Sequence, residues 1–365
     1  MYYFRADGNA VTGAGHLMRC LTIADELSKM PNAAGRIHFL CADEASAWLA
    51  ADRGYNVVVL HTDYRMMEQE LPVIAQVLRK PVPSMDEEGQ NECRSSVFLV
   101  DSYHVTDAYL RGLQAFGRVL LLDDMCKHAF PVDAVINYNA FALESAYEEL
   151  YRGSVSSGKK NSTCCYVGSS YVPVRPQFLQ VEYSVKETVK DVLITTGGGD
   201  SENIAAKVLR AVWNPDWCYH VVVGRFNPSF AAWKKWEQQY PQIQVHHDVK
   251  DMAGLMSQCD LAVTAGGTTI YELAAIGVPF LCFSYAENQE ALTGYIGEKQ
   301  IAGYCGAYHI EKDATLERMK QLADQIGKDC QLRLKMYENE KMMIDGLGAK
   351  RLAGIMAAWS NVERN

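Results

Sequence analysis

A histidine directly behind two glycines is the residue of this chain best suited to moving a proton. Gly13-Ala14-Gly15-His16-Leu17-Met18-Arg19-Cys20 follows a short apolar run, Met1 to Phe4, and leads into a segment where Leu17, Leu21, Ala24 and Leu27 recur at spacings of three and four. That periodicity predicts a helix with one apolar face, beginning near Gly15 or His16. Strand, glycine turn and helix start therefore coincide. Glycine lets the backbone approach a ligand closely, and a helix start presents free N–H groups and a partial positive charge. The same dipole disfavours an imidazolium, which suits a histidine that accepts a proton during reaction. A capping or packing histidine fits the local residues as well.

A second constellation is built for an anion. In Thr264-Ala265-Gly266-Gly267-Thr268-Thr269-Ile270-Tyr271-Glu272 a strand ends at Thr264, two glycines make the turn, and a helix follows up to Gly277-Val278-Pro279. The hydroxyls of Thr268 and Thr269 and the first N–H groups of that helix are placed to hold a diphosphate. Glu272 lies one turn further on, where a carboxylate can accept from both hydroxyls of a ribose; favouring the helix dipole is its bland alternative. Gly197-Gly198-Gly199-Asp200 and Gly224 close two earlier strands of the same half.

Polar residues also gather where apolar runs stop. Val97 to Val100 leads to Asp101-Ser102-Tyr103, Val119 to Leu122 to Asp123-Asp124, and Val135-Ile136 to Asn137-Tyr138-Asn139; Arg175 follows a proline-containing exit. In open α/β sheets ligands collect beyond the carboxyl ends of the strands, so Asp101, Tyr103, Asn137 and Arg175 are expected to face one cleft. Asp123-Asp124 lacks a further metal ligand at suitable spacing, which favours structural or substrate-contacting roles. Asn288 and Gln289 open a helix after another strand, where Asn is also a good cap, yet their position favours a ligand contact. His246-His247 reads as a strand end, since a metal site there lacks a third ligand in sequence. Asp7 and Arg19 are either ligand contacts or a pair bracing the glycine turn.

The elements that must hold these residues alternate strand and helix through both halves, which implies right-handed crossovers and two mostly parallel sheets. The fold class is α/β: two Rossmann-like doubly wound domains facing each other across a cleft. Residues 1–176 form the first domain, 177–190 a linker that loses periodicity, 191–345 the second domain, and 346–365 a helix that packs back on the first. Residues 81–96 read as a surface insertion, and Cys164 and Cys165 as buried strand residues. A formal net charge of −9 argues against nucleic acid as the main partner. No stretch is long and apolar enough for a membrane span. The start of the chain lacks a signal-peptide pattern and the eleven cysteines are scattered without a C-x-x-C pair, so a cytoplasmic protein is expected. No cofactor and no metal is expected, and the oligomeric state is open, a monomer included.

Taken together, Arg5-x-Asp7, Gly13-x-Gly15-His16, Arg19-Cys20, Val100-Asp101-Ser102-Tyr103, Asp123-Asp124, Asn137-Tyr138-Asn139, Gly197 to Asp200, the Gly266 segment and Ala286-Glu287-Asn288-Gln289 resemble, in order from about residue 3 to residue 290, one group of sugar-nucleotide enzymes. These are the UDP-2,4-diacetamido-2,4,6-trideoxy-β-L-altropyranose hydrolases of pseudaminic acid biosynthesis, within the two-domain GT-B superfamily that includes the N-acetylglucosaminyltransferase of lipid II synthesis. The resemblance implies metal-free, inverting release of UDP by water attack at the anomeric carbon. It implies His16 as the catalytic group. It also implies sugar contacts from Arg5, Asp7, Gly15, Arg19, Asp101, Tyr103, Asn137, Arg175, Asn288 and Gln289, and a nucleotide site from Gly198, Gly199, Asp200, Gly224, Gly266, Gly267, Thr268, Thr269 and Glu272. The partners would be the UDP-sugar and UDP. A GT-B glycosyltransferase acting on a UDP-sugar, and an inert sugar-nucleotide binding protein, are the competing readings.

Overall fold

The computed structural model describes residues 1–8, 13–79, 96–153, 163–197, 200, 202–224 and 227–360, so most of the expected insertion lies outside the described residues. The chain divides into two units, Met1–Pro173 with Leu347–Asn365, and Val174–Gly346.

The first unit is a parallel sheet of seven strands, β1 (Tyr2–Ala6), β2 (Ile37–Cys41), β3 (Asn56–Val59), β4 (Val97–Asp101), β5 (Arg118–Leu122), β6 (Ala134–Asn137) and β7 (Cys164–Val167), in the order β3-β2-β1-β4-β5-β6-β7. The order reverses between β1 and β4, and that switch point is where a doubly wound sheet opens a crevice at its carboxyl edge. Ala6 and Asp101 pair there in register. β4 and β6 are buried along their whole length, and so is β5 apart from Arg118, as continuous apolar runs in a covered parallel sheet must be. The core beneath them includes Tyr3, Phe98, Tyr109, Val119, Leu121 and Tyr147.

Helix α1 (Gly15–Ser28) turns Leu17, Leu21, Ala24 and Leu27 inward, the face read from its periodicity. The helix Gly348–Ser360 packs against α1, with Leu352, Ala353 and Met356 buried, Tyr2 Oη 3.0 Å from Ser360 Oγ and Arg118 over the Trp359 ring at 5.5 Å. Cys164 and Cys165 depart from expectation. They lie on β7, the edge strand, where Cys164 is exposed and Cys165 half-buried.

The second unit is a parallel sheet of six strands, β8 (Asp191–Thr195), β9 (Cys218–Val223), β10 (Ile243–His247), β11 (Leu261–Ala265), β12 (Phe280–Ser284) and β13 (Gly303–Ala307), ordered β10-β9-β8-β11-β12-β13. Residues 177–190, expected as a connection, are bound into this unit. Arg333, fully buried in the helix Cys330–Met343, donates from Nη2 to the carbonyls of Lys186 (2.9 Å) and Glu187 (2.7 Å). No described helix is long and apolar enough to cross a membrane.

Glu340 on the same helix is fully buried. Burial pushes its carboxyl well above the usual range, and a backbone hydrogen bond at Phe280 and the charge of Lys341 offset this only in part. A carboxyl raised on folding adds stability below its unfolded pKa of about 4.3 and loses it as pH rises through the folded value. Glu340→Met is therefore expected to stabilise the second unit by about 1–3 kcal/mol at pH 8. The gain should shrink at pH 5, as read from calorimetric melting at the two pH values.

Candidate active site

His16 is the second residue of α1, and Arg19 lies one turn further on the same face. Because the sheet is parallel, the ends of β1, β4, β5 and β6 all open to the same side, and α1 begins over them. Asp101 closes β4, Asp123 and Asp124 follow β5, and Tyr138 and Asn139 follow β6.

Arg19 ties these ends together. Its Nε lies 2.5 Å from Asp101 Oδ2 and its Nη2 2.5 Å from Oδ1, a two-point grip on one carboxylate. Nη1 reaches Asp124 Oδ2 at 2.9 Å and also donates to the Tyr138 hydroxyl, while Asn139 Nδ2 donates to Asp124 Oδ1 at 3.1 Å. Burial by itself would raise the Asp101 carboxyl. The charges of Arg19 and His16 and their hydrogen bonds outweigh it and hold Asp101 well below the usual carboxylate range. Asp101 is thus a fixed anion.

His16 Nδ1 sits 2.6 Å from Asp101 Oδ1. A ring lone pair and a carboxylate oxygen repel at that distance, so a proton lies between them and Nδ1 is the protonated nitrogen; the Arg19 Nη2 contact at 3.1 Å is then close packing. Nε2 is the ring nitrogen left for a further partner, and the His16 side chain is 13% exposed. The Tyr103 ring meets the imidazole edge-on at 4.8 Å, and its hydroxyl donates to Asp124 Oδ2 at 3.0 Å. A recess of ≈ 190 Å³ adjoins them, lined by Tyr103, Leu121, Asp124, Lys127 and Phe130 among others. Tyr103 and Asp124 thus belong both to the network around His16 and to the wall of this partly apolar hollow. The Arg19 guanidinium thus spans Asp101 and Asp124.

Three expected sugar ligands of this unit are instead buried braces. Arg5 is fully buried, donating from Nε and Nη2 to the two Glu70 oxygens (2.8 and 2.5 Å) and from Nη1 to Asp7 Oδ2 (2.6 Å). Asp7 also accepts from the Ala42 amide at 2.8 Å, so its partner is Arg5 and not Arg19. Asn137 donates to the Tyr147 hydroxyl at 2.9 Å and accepts from Asn139, leaving both ends of its amide engaged. Gly15 begins α1 with open space where a Cβ would stand. Asp124, read as structural or substrate-contacting, joins the network, and so do Tyr138 and Asn139, which the sequence reading did not single out as ligands. Their signal was the polar strand ends themselves.

In the second unit Gly266 follows β11 and lies against the start of the helix Glu290–Glu298. A Cβ on Gly266 would stand 2.6 Å from Thr293 Cγ2 and 2.9 Å from Gln289 Cβ, so only glycine fits. Internal bonding of the helix Thr269–Ile276 starts with Ile270 N–H to the Gly267 carbonyl at 3.1 Å. The N–H groups of Gly267, Thr268 and Thr269 precede it and are the donors a helix start presents to an anion.

Glu272 accepts from Arg175 Nε (3.1 Å) and Nη2 (2.7 Å), both on Oε1. Arg175, expected beside Asp101 and Tyr103, therefore belongs to this unit and lies over the Phe178 ring at 4.6 Å. Burial raises the Glu272 carboxyl, with Arg175 working against it.

Gln289 holds the Tyr285 amide at 3.0 Å, and Asn288 beside it is exposed. Gly224 ends β9 and its carbonyl accepts from Asn227 at 3.0 Å. Asp200 is engaged with its own unit and also lines a recess with Tyr285, Tyr308 and His309. It accepts from the amides of Ile204 (2.7 Å) and Ala205 (2.9 Å) at the start of the helix Ile204–Ala211, and from the Thr196 hydroxyl at 3.0 Å. Gly198 and Gly199 lie outside the described residues.

No family model matches the chain. It is 30% identical over 227 residues to spore coat polysaccharide biosynthesis protein SpsG of Bacillus subtilis (strain 168), covering 60% of this chain and 65% of that one. To an uncharacterised protein of Methanocaldococcus jannaschii it is 24% identical over 294 residues, 78% of this chain and 55% of that one. The chain thus spans less than two thirds of the length of each of these two relatives. To UDP-2,4-diacetamido-2,4,6-trideoxy-β-L-altropyranose hydrolase of Campylobacter jejuni it is 21% identical over 298 residues, 81% of this chain and 96% of that one. Among solved structures, MurG of Acinetobacter baumannii superposes with a TM-score of 0.63 at 13% identity, over 98% of this chain and 99% of that one. The calicheamicin glycosyltransferase CalG4 superposes with a TM-score of 0.62 at 13% identity, over 98% of each chain. The chain has the two-domain GT-B fold, and the sequence resemblance read from its motifs extends to a relative that bears the name of the altropyranose hydrolase.

Proposed function

We propose that the chain is a UDP-sugar hydrolase that releases UDP and free 2,4-diacetamido-2,4,6-trideoxy-L-altrose, with inversion at the anomeric carbon and without a metal. The observation that carries this reading is the His16–Asp101 contact of 2.6 Å, which engages Nδ1 and supports Nε2 as the proton acceptor. A water held by Nε2 attacks the anomeric carbon on the face opposite UDP. Its proton passes to Nε2, the bond from that carbon to the diphosphate oxygen breaks, and the electron pair leaves with UDP. The imidazolium so formed has Asp101 at its other nitrogen.

UDP is a stable anion at neutral pH and needs no strong general acid. The Gly267–Thr269 amides and the Thr268 and Thr269 hydroxyls would take up its charge, with Glu272 toward the ribose. The Arg19 clamp between Asp101 and Asp124 supports the metal-free form of the reaction. The Campylobacter relative supports the substrate class.

Incubating the protein with the UDP-linked sugar and no acceptor, with and without EDTA, tests the reading by NMR. UDP and inverted free sugar should appear in equal amounts at the same rate in both samples. Turnover only after an acceptor is added would make the protein a transferase, and UDP binding without turnover a binding protein.

A further inference from the structure

The amino edge of the second sheet carries a cluster that this reaction does not use. Asp191 and Cys218 are the first residues of β8 and β9 and pair in register; His220, two residues along β9, lies on the same face as Cys218. His220 Nε2 is 3.0 Å from Asp191 Oδ1, and its Nδ1 is 3.1 Å from His246 Nε2 on β10, with the two rings stacked at 5.3 Å. One donor atom each from Asp191, Cys218 and His220 lie within 4.8 Å of one another. The sequence hid this set because its members come from two strands, with His246 on a third, that only the sheet brings together.

We propose that Asp191, Cys218 and His220 bind a borderline-soft divalent cation, zinc foremost, with His246 orienting the ligating histidine. Thiolate sulfur, imidazole nitrogen and carboxylate oxygen are the three donor types of zinc sites, at bond lengths of about 2.0–2.3 Å. Such bonds set tetrahedral ligands roughly 3.5 Å apart, so modest side-chain closure brings the cluster to that size. A ligating histidine characteristically anchors its other nitrogen, and His246 already occupies that place on His220. The Asp191 side chain is 32% exposed, which leaves an approach for the ion and room for a water as fourth ligand. On binding, the proton between His220 Nε2 and Asp191 passes by tautomer exchange to His220 Nδ1, which then donates to His246 Nε2 as His246 carries its own proton on Nδ1. Two metal bonds replace the His220–Asp191 hydrogen bond, and the Cys218 thiol releases its proton to solvent. The ion would tie β8 to β9 at the end of the strands opposite the Gly266 turn. Its role is then stabilising rather than catalytic, and it does not depend on the proposed reaction.

The test is titration of metal-stripped full-length protein with CoCl2 and with ZnCl2. One tight equivalent is expected, with tetrahedral cobalt bands, a thiolate-to-cobalt charge-transfer absorption, release of about one proton, and a raised melting temperature of the second unit. Cys218→Ser should abolish the charge-transfer band. Asp191→Asn should keep the band and weaken binding, and His246→Ala should weaken it about 10–100-fold. Absence of a tight equivalent in the wild type overturns the proposal. So does binding that is unchanged in both Cys218→Ser and Asp191→Asn, which would place the ion on other thiols.

Discussion

Replacing His16 by alanine is expected to lower kcat by about 10²–10⁴-fold, the range measured for loss of a positioned general base. The Kd for UDP should stay at the wild-type value, because the proposed nucleotide ligands belong to the other unit. Stopped assays for kcat and calorimetry for UDP separate the two. The split matters, since a histidine that merely packs against Tyr103 and caps α1 would alter stability and leave the chemistry intact. His16→Ala turning over at the wild-type rate would remove the base from the mechanism. A parallel loss of UDP affinity would make the histidine a ligand rather than a base.

The largest stability effect is expected at a residue that touches no ligand. Glu70 meets Arg5 through both carboxylate oxygens and accepts from the Tyr109 hydroxyl at 3.0 Å, all three side chains being fully buried. Glu70→Ala leaves the Arg5 guanidinium in the core with Asp7 as its remaining carboxylate and should destabilise the first unit by about 3–5 kcal/mol. Arg5→Met combined with Glu70→Leu should recover most of that loss, because an apolar pair of similar volume removes the buried charges together. Denaturant unfolding of the three proteins checks both statements. A single variant as stable as the wild type would show that water reaches Arg5.

The strand–helix alternation and the inward face of α1 were legible because burial on both sides of a parallel sheet demands continuous apolar runs, and a covered helix demands a three-four spacing. β13 was not legible. Its sequence Gly303-Tyr304-Cys305-Gly306-Ala307 lacks a continuous apolar run, and a Cβ on Gly303 would meet Leu281 Cδ2 of the neighbouring strand at 2.3 Å. At the site, His16, Asp101, Arg19 and Tyr103 could be picked out as polar residues at strand ends and a helix start. Which polar residues turn inward could not be read locally. Arg5 and Arg19 look alike in sequence, and what separates them is a partner 65 residues from Arg5 and another 82 residues from Arg19. Asn137 and Asn139 differ in the same way, since only the Tyr147 hydroxyl makes the first a brace. Asp200 was read with its glycines, whereas the helix start that it caps decides its role.

Oxygen-18 water tests the central claim most directly. In a single turnover of the UDP-linked sugar in labelled water, attack at the anomeric carbon places the label on the anomeric hydroxyl of the released sugar and none in UDP, read by mass spectrometry before the hydroxyl can exchange. Label in the β-phosphate of UDP would mean that the phosphorus–oxygen bond breaks, and it would contradict a water activated by His16 at the sugar.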